Sequence, residues 1–381
     1  MLHEESPLPA RAYSAVYAAP PQIHAIRCAD NLTWDWLVRT AHSRDVYYRP
    51  GYAIAHEKAG HGRAIAVLIK AGDSQFLIPL LVRPLAELTF ASGIEGYDAI
   101  TPYGYGGLLR LSGPEHVSAQ TMRELCDGLR DWCREAKVVS VLLRLHPLLN
   151  QEQWFSASKQ EFRVCPFGPT IALDLQFWDG QCDQLTTLSR GRKSDLTVSR
   201  RELELTWASH GTNSAHATME LFQVLYEQRM KELQAAPFYY FPTDYYTQLL
   251  RGLGKDIDIA IAWLGDQPVG GGVFLAGQDF AHYHLSATNE AGRAHKASTL
   301  MINAACAWAH QRGCRWLHLG GGTRGTDSLF HFKKSFGGQQ FQYSYVSFVA
   351  NNESYRELSE LRREAANLPE RRAGFFPEYR A

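Results

Sequence analysis

The residues best suited to chemistry in this 381-residue chain are cations placed where helices should begin. Arg293, His295 and Lys296 precede a helix that Ser298 is expected to cap, and a helix N-terminus joined by cations is a ready anion site. Arg190, Arg192, Lys193, Arg200 and Arg201 crowd the start of another expected helix, where a phosphate-bearing substrate can dock; a solvated helix face accounts for the same run. Lys333 and Lys334 stand among Phe330, Phe332 and Phe336, an apolar wall against which a lysine can be held. Two exposed lysines on a short surface helix fit that pattern equally.

Groups able to take a proton lie elsewhere. Asp98, Tyr103 and Tyr105 frame a segment in which Gly104, Gly106 and Gly107 let a ligand approach the backbone. A carboxylate there can hold an ammonium or accept its proton, and a loop with packed tyrosines and a turn capped by Asp98 is the structural alternative. His282 and His284 alternate along one strand and so share a face, where either can act as a base near neutral pH or simply sit satisfied in the core. His318 and Asp327 flank a glycine-rich strand exit. The aromatic stretch Phe238 to Tyr246 reads as a helix connection whose tyrosines line a groove. No serine or cysteine stands in a nucleophile elbow, so direct attack by an amine is expected.

These residues need a scaffold. Asp256 to Leu264 alternates with Ile257, Ile259 and Ile261 on one side, and turns at Gly265 to Pro268 and Gly277 to Asp279 separate it from Val269 to Ala276 and Phe280 to Thr288, which predicts an antiparallel meander. A loop at Asn289 to Ala297, a helix with Leu300, Met301, Ala304, Ala305 and Trp308 at helical spacing, and a buried strand from Cys314 to Leu319 follow. Upstream, Arg63 to Lys70 and Gln75 to Val82 form a second hairpin, succeeded by a helix at Met122 to Ala136 and a strand at Val138 to Leu145. The two halves repeat an order of elements without repeating residues.

A meander, helix and further strand is the core order of the GNAT acyltransferase fold, and the details resemble its FemAB-like branch. The anchors are Tyr226-Glu227-Gln228-Arg229-Met230, Phe238 to Phe241, His284 to Asn289, Leu317 to Gly322, Phe330 to Gly337 and, upstream, Asp98 to Gly107. The resemblance implies an α/β (α+β) chain of two GNAT-like lobes, each a mixed, largely antiparallel twisted sheet flanked by helices. The first lobe would span 23–180 on the acceptor side and the second 181–350 on the donor side. Residues 1–22 would be a flexible arm, and a helix and tail at 351–381 would pack back on the first lobe.

By the same resemblance, Phe332 and Lys333 match a Phe-Lys pair whose lysine lies near the reacting carbonyl, so Lys333 would be catalytic, with Asp98 and His284 as further catalytic candidates. Arg293, His295, Lys296, Ser298 and Phe332 would bind the donor; Tyr103, Tyr105, Arg190, Arg192 and Lys193 would bind the acceptor. The implied reaction is amide formation, an acyl or aminoacyl group passing from acyl-CoA or aminoacyl-tRNA to the amine of a small or peptide-like acceptor in a groove between the lobes. The loop Glu290 to Lys296 departs from the usual Arg or Gln followed by spaced glycines, which favours aminoacyl-tRNA, whereas the absence of net charge favours a small thioester. A non-catalytic protein recognising a nucleotide sugar or glycan is the alternative of another class.

Lysines plus arginines and acidic residues are 39 each, so any tRNA must meet a local basic patch, and DNA is not an expected partner. The 7 scattered cysteines lack metal-ligand spacing, which predicts a reduced cytoplasmic protein with no metal and no permanently bound cofactor. Neither a secretory signal nor a membrane span is expected.

Overall fold

The structure, a computed structural model, describes residues 23–27, 31–91, 93–158, 161–212, 214–322, 325–366 and 375–381. The expected N-terminal arm, 1–22, lies outside them. In chain order the elements begin with strand β1 (Ile23–Arg27), helices α1 (Asn31–Thr40) and α2 (Pro50–Lys58), and strands β2 (Arg63–Ala71), β3 (Ser74–Pro84), β4 (Tyr97–Ile100) and β5 (Leu109–Ser112). Then come α3 (Ala119–Glu135), β6 (Val138–Arg144), β7 (Phe162–Asp174), β8 (Trp178–Asp179), β9 (Gln184–Leu185), α4 (Arg190–Glu202), β10 (Glu204–Ser209), α5 (Ala215–Glu232) and α6 (Thr243–Leu253). The last are β11 (Ile257–Leu264), β12 (Gln267–Ala276), β13 (Phe280–Thr288), α7 (Glu290–Ala294), α8 (Ala297–Gln311), β14 (Trp316–Gly321), α9 (Ser328–Lys334), β15 (Gln339–Val349) and α10 (Asn352–Ala365).

The chain divides into two compact units. The first takes residues up to His42, His61–Cys165 and Ser344–Ala381; the second takes Ser43–Gly60 and Pro166–Tyr343. The division thus differs from a single cut after residue 180. The chain passes between units within β7 and β15, and the segment carrying α2 joins the second unit.

In the first unit β2 and β3 form the expected hairpin, with Val67 opposite Ile78 and Ile69 opposite Phe76. β1 pairs antiparallel with β2, β4 and β5 pair antiparallel with β3, β6 runs parallel to β4, and β15 pairs antiparallel with β6. One face of this mixed sheet buries Ile65, Val67, Ile69, Phe76, Ile78 and Leu80 against Leu125, Leu129 and Trp132 of α3. Each such side chain contributes about 1.5–3 kcal/mol on leaving water. Ser118 begins α3 by accepting from Thr121 N at 3.1 Å. Helix α10 and the C-terminal residues pack on the same unit, where Leu358 and Tyr379 share a cluster with Leu85 and Val139.

In the second unit the meander forms as read: β11 pairs with β12 and β12 with β13, both antiparallel, while β10 pairs with β11. β14 follows α8 and runs parallel to β13, and β7 pairs antiparallel with β14. Its core gathers Phe274, Ala281, Leu300, Met301, Ala305, Cys306, Leu317 and Phe330. Helix α2 starts with Pro50, whose missing N–H costs nothing at that position. It crosses α6 so closely that a Cβ on Gly51 would stand 2.2 Å from the Gly252 carbonyl oxygen. Only glycine at this crossing lets the two backbones meet. Arg49 anchors the same segment through Asp256 and, at 3.0 Å, the Leu253 carbonyl.

Candidate active site

Strands β13 and β14 stay together for three pairs and then part. Phe280 faces Trp316, Ala281 faces Leu317 and His282 faces His318; beyond that point β13 continues to Thr288, while β14 shifts register on β7 between His318 and Gly320. Gly320 has φ 75°, a left-handed conformation suited to glycine, and the strand leaves through Gly321 and Gly322. The backbone edge of β13 beyond His282 is therefore not paired to β14.

Helix α9 returns to this strand end. Asp327 caps it by accepting from Phe330 N at 3.0 Å, and Phe330 is buried in the core, which fixes the helix's rotation. Lys333 then reaches back with its Nζ donating to the Gly321 carbonyl at 2.7 Å. The side chain is half-buried, and burial lowers its pKa to about 8, with Asp327 opposing the shift. One turn of side chains away, the Arg192 guanidinium lies 5.2 Å from the Phe332 ring centre and 5.8 Å from that of Phe336. The same guanidinium reaches Thr299 Oγ1 in the first turn of α8 at 3.4 Å and Asp195 at 3.0 Å. Arg192 thus links three elements: its own α4, the start of α8, and the helix that carries Lys333.

On the β13 face opposite α8, His282 and His284 do share a side, since both touch the Tyr47 ring, at 4.5 and 5.9 Å between centres. Asp45 Oδ2 lies 2.6 Å from His282 Nε2, both residues being fully enclosed. Tyr47 OH stands 3.2 Å from His284 Nδ1 and Tyr245 OH 3.0 Å from its Nε2. Burial and the neighbouring His282 push the pKa of His284 down to about 3. The ring is engaged at both nitrogens, and burial disfavours its protonation. Phe241, Tyr245 and Tyr246 are core residues rather than groove lining, with Phe241 and Tyr245 stacked at 4.2 Å.

Residues 183–334 match the acetyltransferase (GNAT) domain family. The second unit therefore contains a GNAT domain. FemX has the same fold over most of its length: TM-score 0.65 at 11% identity, covering 86% of this chain and 98% of that one. L-PGS from Bacillus licheniformis gives 0.53 at 11% identity, with 86% and 94% covered, and a tandem GNAT protein from the clavulanic acid biosynthesis pathway gives 0.50 at 12%, with 87% and 99% covered. At such identities the likeness is one of fold. No curated protein matches this chain in sequence. The domain match supports an acetyltransferase (GNAT) domain at 183–334, and the shared folds show that the chain as a whole is built like FemX.

Within the GNAT domain the expected donor residues do not converge as a set. The loop before α8 folds into the short helix α7, capped by Asn289, whose Oδ1 accepts from Gly292 N at 2.9 Å. Arg293 turns to the Thr288 carbonyl at 2.8 Å and to Glu232 at 3.6 Å, and His295 Nδ1 meets Glu202 at 2.6 Å. Lys296 is exposed and takes φ 62° to start α8, so Ser298 lies inside the helix instead of capping it. The Ser298 hydroxyl bonds that of Tyr283, whose pKa burial raises. Of the expected acceptor cations, Arg190 and Lys193 are exposed, and Arg192 is the one drawn to α8 and α9.

Asp98, Tyr103 and Tyr105 belong to the first unit. Asp98 is fully buried, its two carboxylate oxygens accepting from Arg83 at 2.5 Å and Arg380 at 2.6 Å. That carboxylate is the centre of a buried ion-pair cluster. Tyr103 and Tyr105 are half-buried, and the glycines beside them make room for the chain itself: a Cβ on Gly107 would lie 2.2 Å from Gln151 Oε1. Sequence reasoning missed the contacts of Arg192 with Thr299 and Phe332 and the pairings of Asp45 and Tyr47 with the two histidines; for the latter the run Asp45-Val46-Tyr47-Tyr48-Arg49-Pro50 was the available signal.

Proposed function

We propose that the GNAT domain forms amides, transferring an acyl or aminoacyl group from acyl-CoA or aminoacyl-tRNA to the amine of a small or peptide-like acceptor. The observation that carries this reading is Lys333, whose ammonium is held at the Gly321 carbonyl where β14 has left β13. A donor threaded into that parting would present its carbonyl beside the unpaired edge of β13, and a fixed cation there would stabilise the oxyanion formed when the amine attacks. Arg192, stacked on Phe332 and bonded to the first turn of α8, would meet a donor phosphate together with that helix's N-terminus. Direct attack needs no covalent enzyme intermediate; the enzyme contributes position and charge.

The test pairs each donor, an acyl-CoA or charged tRNA, with candidate amines and follows amide formation by mass. Lys333→Met should lower kcat with little change in acceptor KM, because the charge acts on the transition state. Turnover with neither donor, or an unaltered rate in Lys333→Met, would refute the reading. Donor class is separable by salt, since tRNA affinity should fall steeply with ionic strength and that of a CoA thioester only gently.

A further inference from the structure

Strand β10 is the outermost strand of the second unit's sheet. It pairs with β11 from Glu204 opposite Trp263 to Ser209 opposite Asp258 without a register shift, and among the described residues no strand pairs with its other edge. Such an edge offers backbone donors and acceptors to any strand that approaches, and proteins commonly blunt it with lysine, proline or a bulge. β10 has none of these. Its two ends are closed. The Ser209 carbonyl accepts from Thr212 N at 3.1 Å and from Thr212 Oγ1 at 2.7 Å, and Leu203 N donates to the Ser199 carbonyl at 2.8 Å, so the stretch able to pair runs from Glu204 to Ala208 with Thr206 at its middle.

That stretch is complementary to itself. A two-fold axis normal to the sheet keeps each face on its own side, and because side chains alternate between faces the axis must pass through a residue. Through Thr206 it sets Thr206 opposite its own copy, Leu205 opposite Trp207, and Glu204 opposite Ala208. Leu205 and Trp207 are half-buried on the core side, where the Trp207 ring stacks on Trp308 at 6.0 Å, and the pairing carries that apolar face across the axis. On the other face Glu204 and Thr206 are exposed, and Glu204 falls diagonal to the exposed His210 of the second copy. A carboxylate then meets an imidazole, and no like charges face each other within the paired stretch. We propose that β10 joins β10 of a second copy of this chain, antiparallel and centred on Thr206.

Sedimentation of the full chain over a concentration series should show a dimer that dissociates on dilution. Thr206→Lys sets two ammonium groups opposite each other and should weaken that dimer about tenfold, whereas Thr197→Lys, at an exposed position on α4, should leave it unchanged. Register is read by cross-linking. Antiparallel partners stand about 4.5–5.5 Å apart between Cα atoms, within disulfide range, so Thr206→Cys should form a covalent dimer under mild oxidation beyond the background of the unaltered chain. Glu204→Cys, which faces Ala208, should not. A chain that stays monomeric at every concentration overturns the proposal and leaves the edge to a strand of another protein. A dimer indifferent to Thr206→Lys, or one cross-linked through Glu204→Cys and not through Thr206→Cys, overturns it as well. If Thr206→Lys fails to fold, the two cysteine variants decide the matter.

Discussion

Two enclosed charges, one in each unit, are treated in opposite ways. Asp98 receives a guanidinium at each carboxylate oxygen, from Arg83 and Arg380, and Arg380 is tied further to the Pro84 carbonyl at 3.2 Å. Among the described residues Lys333 has a single carbonyl and a nearby carboxylate. A buried charge with all its sites filled holds elements together, and one left short of partners is poised to interact with something else. By that criterion Asp98 holds elements of the first unit together, and Lys333 is the group proposed for chemistry in the second.

The largest expected effect tests the first half of the comparison. Asp98→Asn should destabilise the protein by about 3–5 kcal/mol, because two guanidinium groups lose their shared partner, while kcat of the remaining folded protein stays unchanged. Denaturant unfolding and activity on the same samples check it. A catalytic Asp98 would reverse the pattern.

Lys333→Met should do the converse: a loss of about 10²–10³ in kcat, as for removal of an oxyanion donor, with stability equal or raised. The pH dependence has a definite sign. The oxyanion role needs the charged form, so turnover should fall as pH rises through about 8. Stability moves the other way, because the folded-state pKa lies below the unfolded 10.5: the unfolded chain binds more protons between these values, and stability rises with pH across that window. Lys333→Met should abolish that component of both profiles.

Smaller effects refine the site. Arg192→Gln should raise donor KM about tenfold with kcat little changed, whereas Arg190→Gln, at an exposed position, should matter only for a polyanionic donor. Tyr245→Phe removes one of two hydroxyls on His284 and should cost about 1 kcal/mol of stability with a modest change in rate. A large loss of kcat there would restore His284 to the chemistry.

Much of the fold was legible because it is local. The meander expected from Asp256 to Thr288 has alternation in its first strand and turn residues between strands, and α8 and β14 follow with helical spacing and a glycine exit, so β11 to β14 formed close to their expected bounds. Lys333 was readable through its aromatic neighbours. The loop before α8 was misread because Asn289 caps a helix of its own and Lys296, a residue without glycine's freedom, takes the left-handed turn. Asp98 looked like a ligand for an amine because its partners Arg83 and Arg380 lie 15 and 282 positions away.

The order of elements, the GNAT-like core and the basic start of α8 were determined by the sequence itself, since hydrophobic period and turn chemistry act within a few residues. Tertiary structure alone decided which charges are satisfied. It brought Ser43–Gly60 into the second unit, set Tyr47 against His284 across 237 positions, and turned Arg192 toward α8. The reason is physical: a buried charge or imidazole is defined by what encloses it, and those partners are chosen by packing between distant segments, which no local pattern encodes.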